Sequence, residues 1–220
     1  SSSTEEVNLS RYRFFQIFKD KKIPFLKQGI EQKFILSQRE CCCLLANAFF
    51  CTFKRETKEF GWQYLASINL DDLIESTRNP QACKAKVSMI INYFNRVAQS
   101  MPTGKLIIYR QVATVQPDWK SCKLPLLKVQ VDKSGVIESH HHALQADFAN
   151  KFIGGAAISY GCVQEELKFS VCPELITTRL FCPAMQANEA IVAVGAEQFS
   201  TYKGYARTVE YGGNFVDTNK

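Results

Sequence analysis

The sequence predicts an α/β fold in which a mainly helical N-terminal region precedes a region of short strands and helices. Helical periodicities dominate residues 1–103, whereas short β-rich runs alternate with helical segments after Gly104. The continuous apolar run Ala190–Val194 is typical of a central strand buried on both faces. Strands that alternate with helices predict a sheet covered by those helices.

Before Gly104, two helices are predicted. Ser37 and Glu40 have the spacing of a capping box, and apolar residues recur behind them at three- and four-residue steps: Leu44, Leu45, Ala48, Phe49 and Phe53. Asn79 followed by Pro80 predicts an N-cap and a second helix that ends near Ser100. Its buried stripe is predicted to contain Val87, Ile90, Ile91, Phe94, Val97 and Ala98. Cys41–Cys43 are predicted to pack as small side chains rather than bind metal.

After Gly104 the predicted elements are short. The predicted strands are Leu106–Tyr109, Leu126–Val131 and Leu144–Ala149, with a turn at Asp132–Gly135 and extended chain at Val136–Ile137. Glu165–Phe169 and Glu174–Phe181 are predicted to be helical.

Composition and charge restrict the class of protein. The 220 residues are 46% hydrophobic and 22% charged, which is globular composition. No apolar run reaches the length of a membrane span, and the N-terminus has no signal-peptide core. Nine cysteines without a repeated spacing favour a reducing compartment. We therefore expect a nuclear or cytoplasmic protein without a membrane partner.

The charge is asymmetric along the chain. The net charge of the whole chain is +6. Residues 136–220 have a net charge of −3, so residues 1–135 have a net charge of +9. A basic region of this kind is either a solvated surface or an attractor of polyanions. No RNA-binding fingerprint accompanies it, so no specific nucleic-acid partner is predicted.

A glycine pair followed by two acids is the most informative part of the sequence. Gly154 and Gly155 form either an ordinary turn or a loop whose amides approach a phosphate at a helix start. Glu165 and Glu166 either complement the helix dipole or perform acid–base catalysis. A catalytic glutamate there needs burial or a neighbouring carboxylate to oppose the dipole, and Asp147 is the candidate neighbour.

Other kinds of site find little support. His140–His142 lack acid or thiol partners at zinc spacing and are predicted to form a surface loop. No histidine follows Cys162, so a Cys–His nucleophile is disfavoured. The glycine pair matches neither GxGxxG nor a Gly-Lys-Ser/Thr loop. No metal and no cofactor are predicted.

One stretch resembles the signature of the poly(ADP-ribose) glycohydrolase family, in which three glycines precede Gln-Glu-Glu. It consists of Gly-Gly-Ala, then seven residues, then Gln164-Glu165-Glu166. Further segments are similar to the family in the same order: Leu44–Phe53, Pro102–Gly104, Asp118-Trp119, Val136–Glu138, Glu174–Ile176, Arg179–Phe181, Glu197–Phe199 and Tyr202–Tyr205. The resemblance extends over most of the chain from about Ile23 onward.

The resemblance implies a fold and a function. The fold is a macrodomain, a three-layer α/β/α sandwich around a mixed sheet, in residues 104–220, preceded by a helical accessory lobe in residues 1–103. The implied reaction is hydrolysis of ribose–ribose O-glycosidic bonds in poly(ADP-ribose), attached to modified proteins, with release of ADP-ribose. A role in the DNA damage response in the nucleus or cytoplasm is also implied.

Site residues are implied in the same way. Glu166 becomes the catalytic acid and then the base, Glu165 holds the ribose hydroxyls, and Asp147 completes the acidic cluster. The implied substrate-binding residues are Ile137 and Glu138 at the adenine, Tyr205 stacked on it, Asn150 and Gln164 as hydrogen-bond partners, and Gly154, Gly155 and Ala156 on the diphosphate.

Two departures from the family leave alternatives open. Ala156 replaces the third glycine, which is costly only if that position has a positive φ. The family also continues beyond the residue that matches Lys220, so a further strand and one wall of the pocket are expected outside this sequence. A non-catalytic reader of ADP-ribose and a polyanion-binding accessory protein are the alternative functions.

Overall fold

The structure is a computed structural model and describes residues 25–53, 67–140 and 142–216. It contains, in chain order, β1 (Gln32–Ser37), α1 (Gln38–Phe49), α2 (Asp71–Ile74), α3 (Pro80–Gln99), β2 (Lys105–Val112), α4 (Gln164–Val171), β3 (Glu189–Val194), β4 (Ser200–Lys203) and β5 (Glu210–Asn214). Short 3-10 helices occupy Ile137–Ser139, Pro173–Leu180 and Ala206–Thr208.

Helix α1 begins at the predicted capping box. The Ser37 hydroxyl accepts the Glu40 amide at 3.2 Å, and the Glu40 carboxylate accepts the Ser37 amide at 2.6 Å. Both interactions satisfy donors that a helix start leaves unpaired. The buried apolar residues of the helix are Cys41, Leu44, Leu45 and Ala48. The predicted helix is therefore confirmed, although Phe53 lies beyond its end.

Helix α3 is also confirmed, with Asn79 at the N-cap position and Pro80 in the first turn, as predicted. Asn79 has left-handed backbone angles (φ 51°, ψ 53°), and its side chain makes no capping hydrogen bond. Its side-chain amide instead donates to the Tyr160 carbonyl at 3.0 Å. The buried face is rotated from the predicted stripe, because Ile91 and Ala98 are exposed. Its buried residues are Ala82, Cys83, Ala85, Lys86, Met89, Ile90, Tyr93 and Val97.

Strands β1, β2 and β3 form one antiparallel sheet with β2 in the centre, and β4 and β5 form a second antiparallel pair. No parallel pair occurs between strands of the described residues. The strand predicted at Leu106–Tyr109 is confirmed within β2. Ala190–Val194 is confirmed as a strand, but not as a buried central one. β3 lies at the edge of its sheet, and Val194 is 49% exposed.

The predicted strands at Leu126–Val131 and Leu144–Ala149 are wrong. Both segments are irregular, and their apolar side chains are exposed, up to 97% at Leu126. An alternating pattern forms a strand only where another strand accepts its backbone hydrogen bonds, and these segments pair with none of the described strands. Ile137 begins a 3-10 helix rather than extended chain. The turn after Val131 is confirmed, since Asp132 accepts the amides of Ser134 and Gly135 at 2.9 Å.

The core lies between the helices and the first sheet. α1 packs on the 3-10 helix Pro173–Leu180, and α3 packs on α4 and β5. The helix predicted at Glu174–Phe181 is confirmed, and it is this 3-10 helix. β1 and β2 pair across the predicted domain boundary at residues 103 and 104, and that division stays a prediction. The packing places α4 between α3 and the 3-10 helix, which fixes the position of Glu165 and Glu166.

Ser37→Ala removes the side-chain half of the α1 capping box. We expect the free energy of unfolding to fall by about 1 kcal/mol, because the Glu40 amide loses its acceptor. Urea denaturation measures this loss. Ser88→Ala is the control, since Ser88 only donates to the Lys84 carbonyl inside α3; its effect should stay within about 0.5 kcal/mol. Equal losses in the two variants would contradict the capping role.

Candidate active site

The glycine pair forms a tight turn that allows two carboxylates to approach the backbone. Gly154 has a φ of +79° and Gly155 one of +44°, both in the region that favours glycine. A Cβ built on Gly155 would lie 2.6 Å from Glu165 Oε2 and 2.7 Å from Glu166 Oε1. Ala156 is not among the positive-φ residues, so an alanine in place of the third glycine causes no backbone strain.

This turn is part of a loop, residues 153–163, and helix α4 begins directly after the loop and presents both glutamates to it. Gly154 donates its amide to Glu165 Oε1 at 2.6 Å, and Ala156 donates to Glu166 Oε1 at 3.1 Å. Asn150 donates its amide to Glu165 Oε2 at 3.3 Å. The Val163 amide donates to Glu166 Oε2 at 3.0 Å. Each carboxylate is therefore buried and held by two backbone amides.

These contacts use the amides that were expected to bind a diphosphate. The Gly154 and Ala156 amides bind the glutamates, and the Gly155 amide donates to the Phe152 carbonyl at 3.0 Å. In this structure the amides of the loop therefore bind carboxylates. The diphosphate role of the three residues stays a prediction, and it requires these amides to exchange partners.

Two buried cations hold the opposite side of the loop. Lys86 on α3 donates to the carbonyls of Ala157 at 2.9 Å and of Ser159 and Gly161 at 2.6 Å. Arg179 on the 3-10 helix donates to the carbonyls of Ile153 at 3.1 Å and Gly155 at 3.0 Å.

Neither cation is among the predicted site residues. A signal existed for Lys86, which lies one turn before Ile90 on the apolar face of α3. Arg179 was part of a segment that resembles the family.

The carboxyl groups perturb one another. Burial, followed by the charge of Asp147, raises the pKa of Glu165 to about 7, although the amides of Asn150 and Gly154 oppose the shift. Partial desolvation, followed by the charge of Glu166, raises the pKa of Asp147 to about 6. Asp147 is exposed, so water screens its carboxylate more than it screens the buried carboxylate of Glu165. Burial and a neighbouring carboxylate, the two conditions named for a raised pKa at this helix start, therefore both act on Glu165.

Gln164 connects α4 to the segment that contains Asp147. Its side-chain amide donates to the Ala146 carbonyl at 2.8 Å, and its oxygen accepts the Phe148 amide at 3.0 Å. The two bonds lie on either side of Asp147. Gln164 was predicted to bind substrate; here it holds the Asp147 segment next to the glutamates.

A cleft of about 430 Å³ opens beside the two glutamates. Five predicted site residues line it: Asn150, Gln164, Glu165, Glu166 and Tyr205. Phe148, Ala149 and Val163 also line it and were not predicted. Phe148 is 79% exposed and Tyr205 is 53% exposed, so two aromatic rings are available at the rim. The signal for Phe148 was its position directly after Asp147.

Ile137 and Glu138 do not line the cleft. They lie on the 3-10 helix Ile137–Ser139. Burial, followed by the charges of Glu138 and Tyr205, raises the pKa of Tyr202, which places Glu138 near that ring. Their predicted role at the adenine therefore requires the adenine to bind at the side of the cleft that Tyr205 lines.

The predicted histidine loop lies on the surface in the described part of the chain. His140 and His142 are exposed, and His141 lies outside the described residues. Within the described ranges, histidines, cysteines and acids form no group that could hold a metal ion. None of the helices described there has both the length and the apolar character to cross a bilayer.

The fold and the site together define an α/β domain built around a carboxylate-lined cleft, with helices before it in the chain. Two family models match nearly the whole sequence. The helical domain of poly(ADP-ribose) glycohydrolase matches residues 10–110, and its macro domain fold matches residues 116–220. The chain belongs to the poly(ADP-ribose) glycohydrolase family, and its fold class is the expected one.

Curated relatives agree with this assignment. Poly(ADP-ribose) glycohydrolase 1 of Arabidopsis thaliana is 40% identical over 188 residues, which cover 83% of this chain and 34% of the relative. Probable poly(ADP-ribose) glycohydrolase 2 of the same plant is 34% identical over 197 residues, covering 83% and 37%. Poly(ADP-ribose) glycohydrolase 1 of Caenorhabditis elegans is 31% identical over 180 residues, covering 80% and 21%. The chain spans about a third of the length of the two plant relatives.

Gly155→Ala tests the close approach of the glutamates to the loop. We expect a loss of stability from the positive φ and a further loss of at least about 1 kcal/mol from overpacking against both carboxylates. Gly29→Ala is the matched control, because its φ is +74° and a Cβ there meets nothing within 4 Å. Urea denaturation compares them. Losses of the same size would show that the glutamates do not crowd Gly155.

The raised pKa of Glu165 predicts how stability depends on pH. Between the ordinary value of 4.5 and about 7, the folded state binds more protons than the unfolded state. Stability should therefore rise as the pH falls from 7.5 to 5.5. Glu165→Gln should flatten this rise, which urea denaturation at several pH values measures. An unchanged slope in the variant would show that Glu165 titrates normally.

Proposed function

We propose that the chain hydrolyses ribose–ribose O-glycosidic bonds of poly(ADP-ribose) and releases ADP-ribose. One observation carries this proposal: two buried carboxyl groups at the start of α4 face an open cleft and are fixed by backbone amides. Membership of the family supports the choice of substrate, since the curated relatives are named as poly(ADP-ribose) glycohydrolases.

The proposed reaction needs a proton donor and a base. Glu166 donates a proton to the leaving ribose oxygen as the bond to the anomeric carbon breaks. The resulting carboxylate takes a proton from a water molecule, which attacks the same carbon. Atoms and charge balance, because Glu166 ends the cycle protonated. The family resemblance supports Glu166 for this role, as does its burial beside the cleft, and its two amide contacts fix the orientation of the carboxylate.

Glu165 and Asp147 are proposed to stabilise the oxocarbenium-like transition state. Their ionised fractions place negative charge beside the developing cation. With the pKa of Glu165 at about 7, the cluster also retains a proton near neutral pH.

The rim of the cleft is proposed to bind the nucleotide part of the substrate. Tyr205 and Phe148 offer exposed rings on which an adenine can stack. Ile137 and Glu138 are proposed to contact the adenine from the side of Tyr202. Asn150 is proposed as a hydrogen-bond partner. Gly154, Gly155 and Ala156 are proposed as the diphosphate contact; the Ala156 amide then leaves Glu166, and the Val163 amide still holds the Glu166 carboxylate.

The proposal extends to the setting of the reaction. Polymer on modified proteins is the proposed partner, in the nucleus or cytoplasm and in the DNA damage response. All nine cysteines are free thiols, and five of them are buried, which supports a reducing compartment.

Glu166→Gln separates hydrolysis from binding. With purified polymer as substrate and chromatography of released ADP-ribose as the assay, we expect kcat to fall roughly 10²–10⁴-fold, because the proton donor is lost. Glu165→Gln should lose less kcat and show a larger KM. Glu75→Gln, on the exposed end of α2, is the control and should match the parent.

Three outcomes overturn the proposal. A parent protein that binds ADP-ribose without turnover is a reader. One that binds any polyanion, with an affinity that falls steeply with salt, is an accessory protein. Near-native turnover by Glu166→Gln removes that residue from the acid–base role.

A further inference from the structure

Lys86 occupies an unusual position for a lysine. Its ammonium group is fully buried, and no Asp or Glu of the described chain forms an ion pair with it within 4.0 Å. It instead donates to backbone carbonyls of residues 157, 159 and 161, and a fourth contact to the Ala156 carbonyl measures 3.5 Å. Burial of an ammonium group costs free energy unless its N–H groups form hydrogen bonds. Here carbonyls of the loop accept hydrogen bonds from all of them.

The same stretch of backbone supplies both amides that hold Glu166. The Ala156 amide binds one carboxylate oxygen, and the Val163 amide binds the other. The carbonyls that Lys86 binds lie between those two positions in the chain. A Cβ on Gly161 would lie 2.7 Å from Glu166 Cδ, so the loop also touches the side chain itself.

We propose that Lys86 is a positioning residue, which fixes the 156–163 backbone so that its amides hold the Glu166 carboxylate in one orientation. The consequence for catalysis rests on the proposed function. Loss of the ammonium leaves three carbonyls without their donor and lets the loop rearrange. Glu166 then samples other orientations, and kcat falls while binding at the rim of the cleft remains.

The charges around Lys86 make its effect depend on pH. Cys83 on its own helix, Cys162 in the loop and Glu166 on α4 all favour its protonated form. Burial outweighs them and lowers the pKa of Lys86 to about 8. The loop should therefore loosen between pH 7 and pH 9. Arginine keeps its charge throughout this range, so Lys86→Arg should not show the change.

The test combines hydrogen exchange with kinetics. In Lys86→Met we expect the Ala156 and Val163 amides to exchange at least about tenfold faster. Without the Lys86 ammonium group, local opening of the loop costs less free energy, and opening exposes both amides to water. Amides of β2 should be unchanged. We expect kcat on polymer to fall about 10–100-fold with KM changed less than about threefold, as for loss of a transition-state contact. Arg110→Met is the control, because Arg110 is equally buried but pairs with Glu189, away from the cleft.

Each result decides the proposal. Unchanged protection at Ala156 and Val163, or an equal kcat loss in Arg110→Met, overturns it. If the parent does not hydrolyse polymer, the proposed function fails, and the protection of the two amides still tests Lys86. If Lys86→Met does not fold, the parent and Lys86→Arg are compared from pH 7 to pH 9. Loss of protection in the parent alone supports the proposal, and parallel curves overturn it.

Discussion

The site depends on one loop whose peptide groups are held from both sides. Lys86 and Arg179 bind its carbonyls, and Glu165 and Glu166 bind its amides. The four side chains come from α3, the second 3-10 helix and α4, so the loop also joins these elements. Positive φ at Gly154 and Gly155 allows the backbone to turn between the charges. Without the turn, two adjacent carboxylates could not be buried beside it.

Burial of like charges requires compensation, and the structure shows its source. Each glutamate accepts two backbone amides, and Arg179, whose pKa burial lowers to about 10, is attracted by both of them. Burial and Asp147 still outweigh these contacts at Glu165, whose pKa is raised. The result is a buried carboxyl group, Glu165, whose pKa lies near neutral pH.

Local signals in the sequence predicted what short-range contacts decide. The capping box at Ser37, the proline start of α3 and the acids at the start of α4 involve neighbours in the chain, and the structure confirms these elements. Leu126–Val131 has the alternation of a strand without a partner strand, and pairing is not a local property. Lys86 was missed for the same reason, because the carbonyls it binds are more than 70 residues away in sequence.

The first three residues of α4 organise the whole site. Gln164 holds residues 146–148, Glu165 holds Asn150 and Gly154, and Glu166 holds Ala156 and Val163. Through these contacts the backbone fixes the direction of both carboxylates. The exposed rings at the rim gain buried area only when a ligand covers them. The orientation of Glu166 and the exposed apolar surface at the rim therefore depend on different residues, and a substitution at the rim should leave the orientation of Glu166 intact.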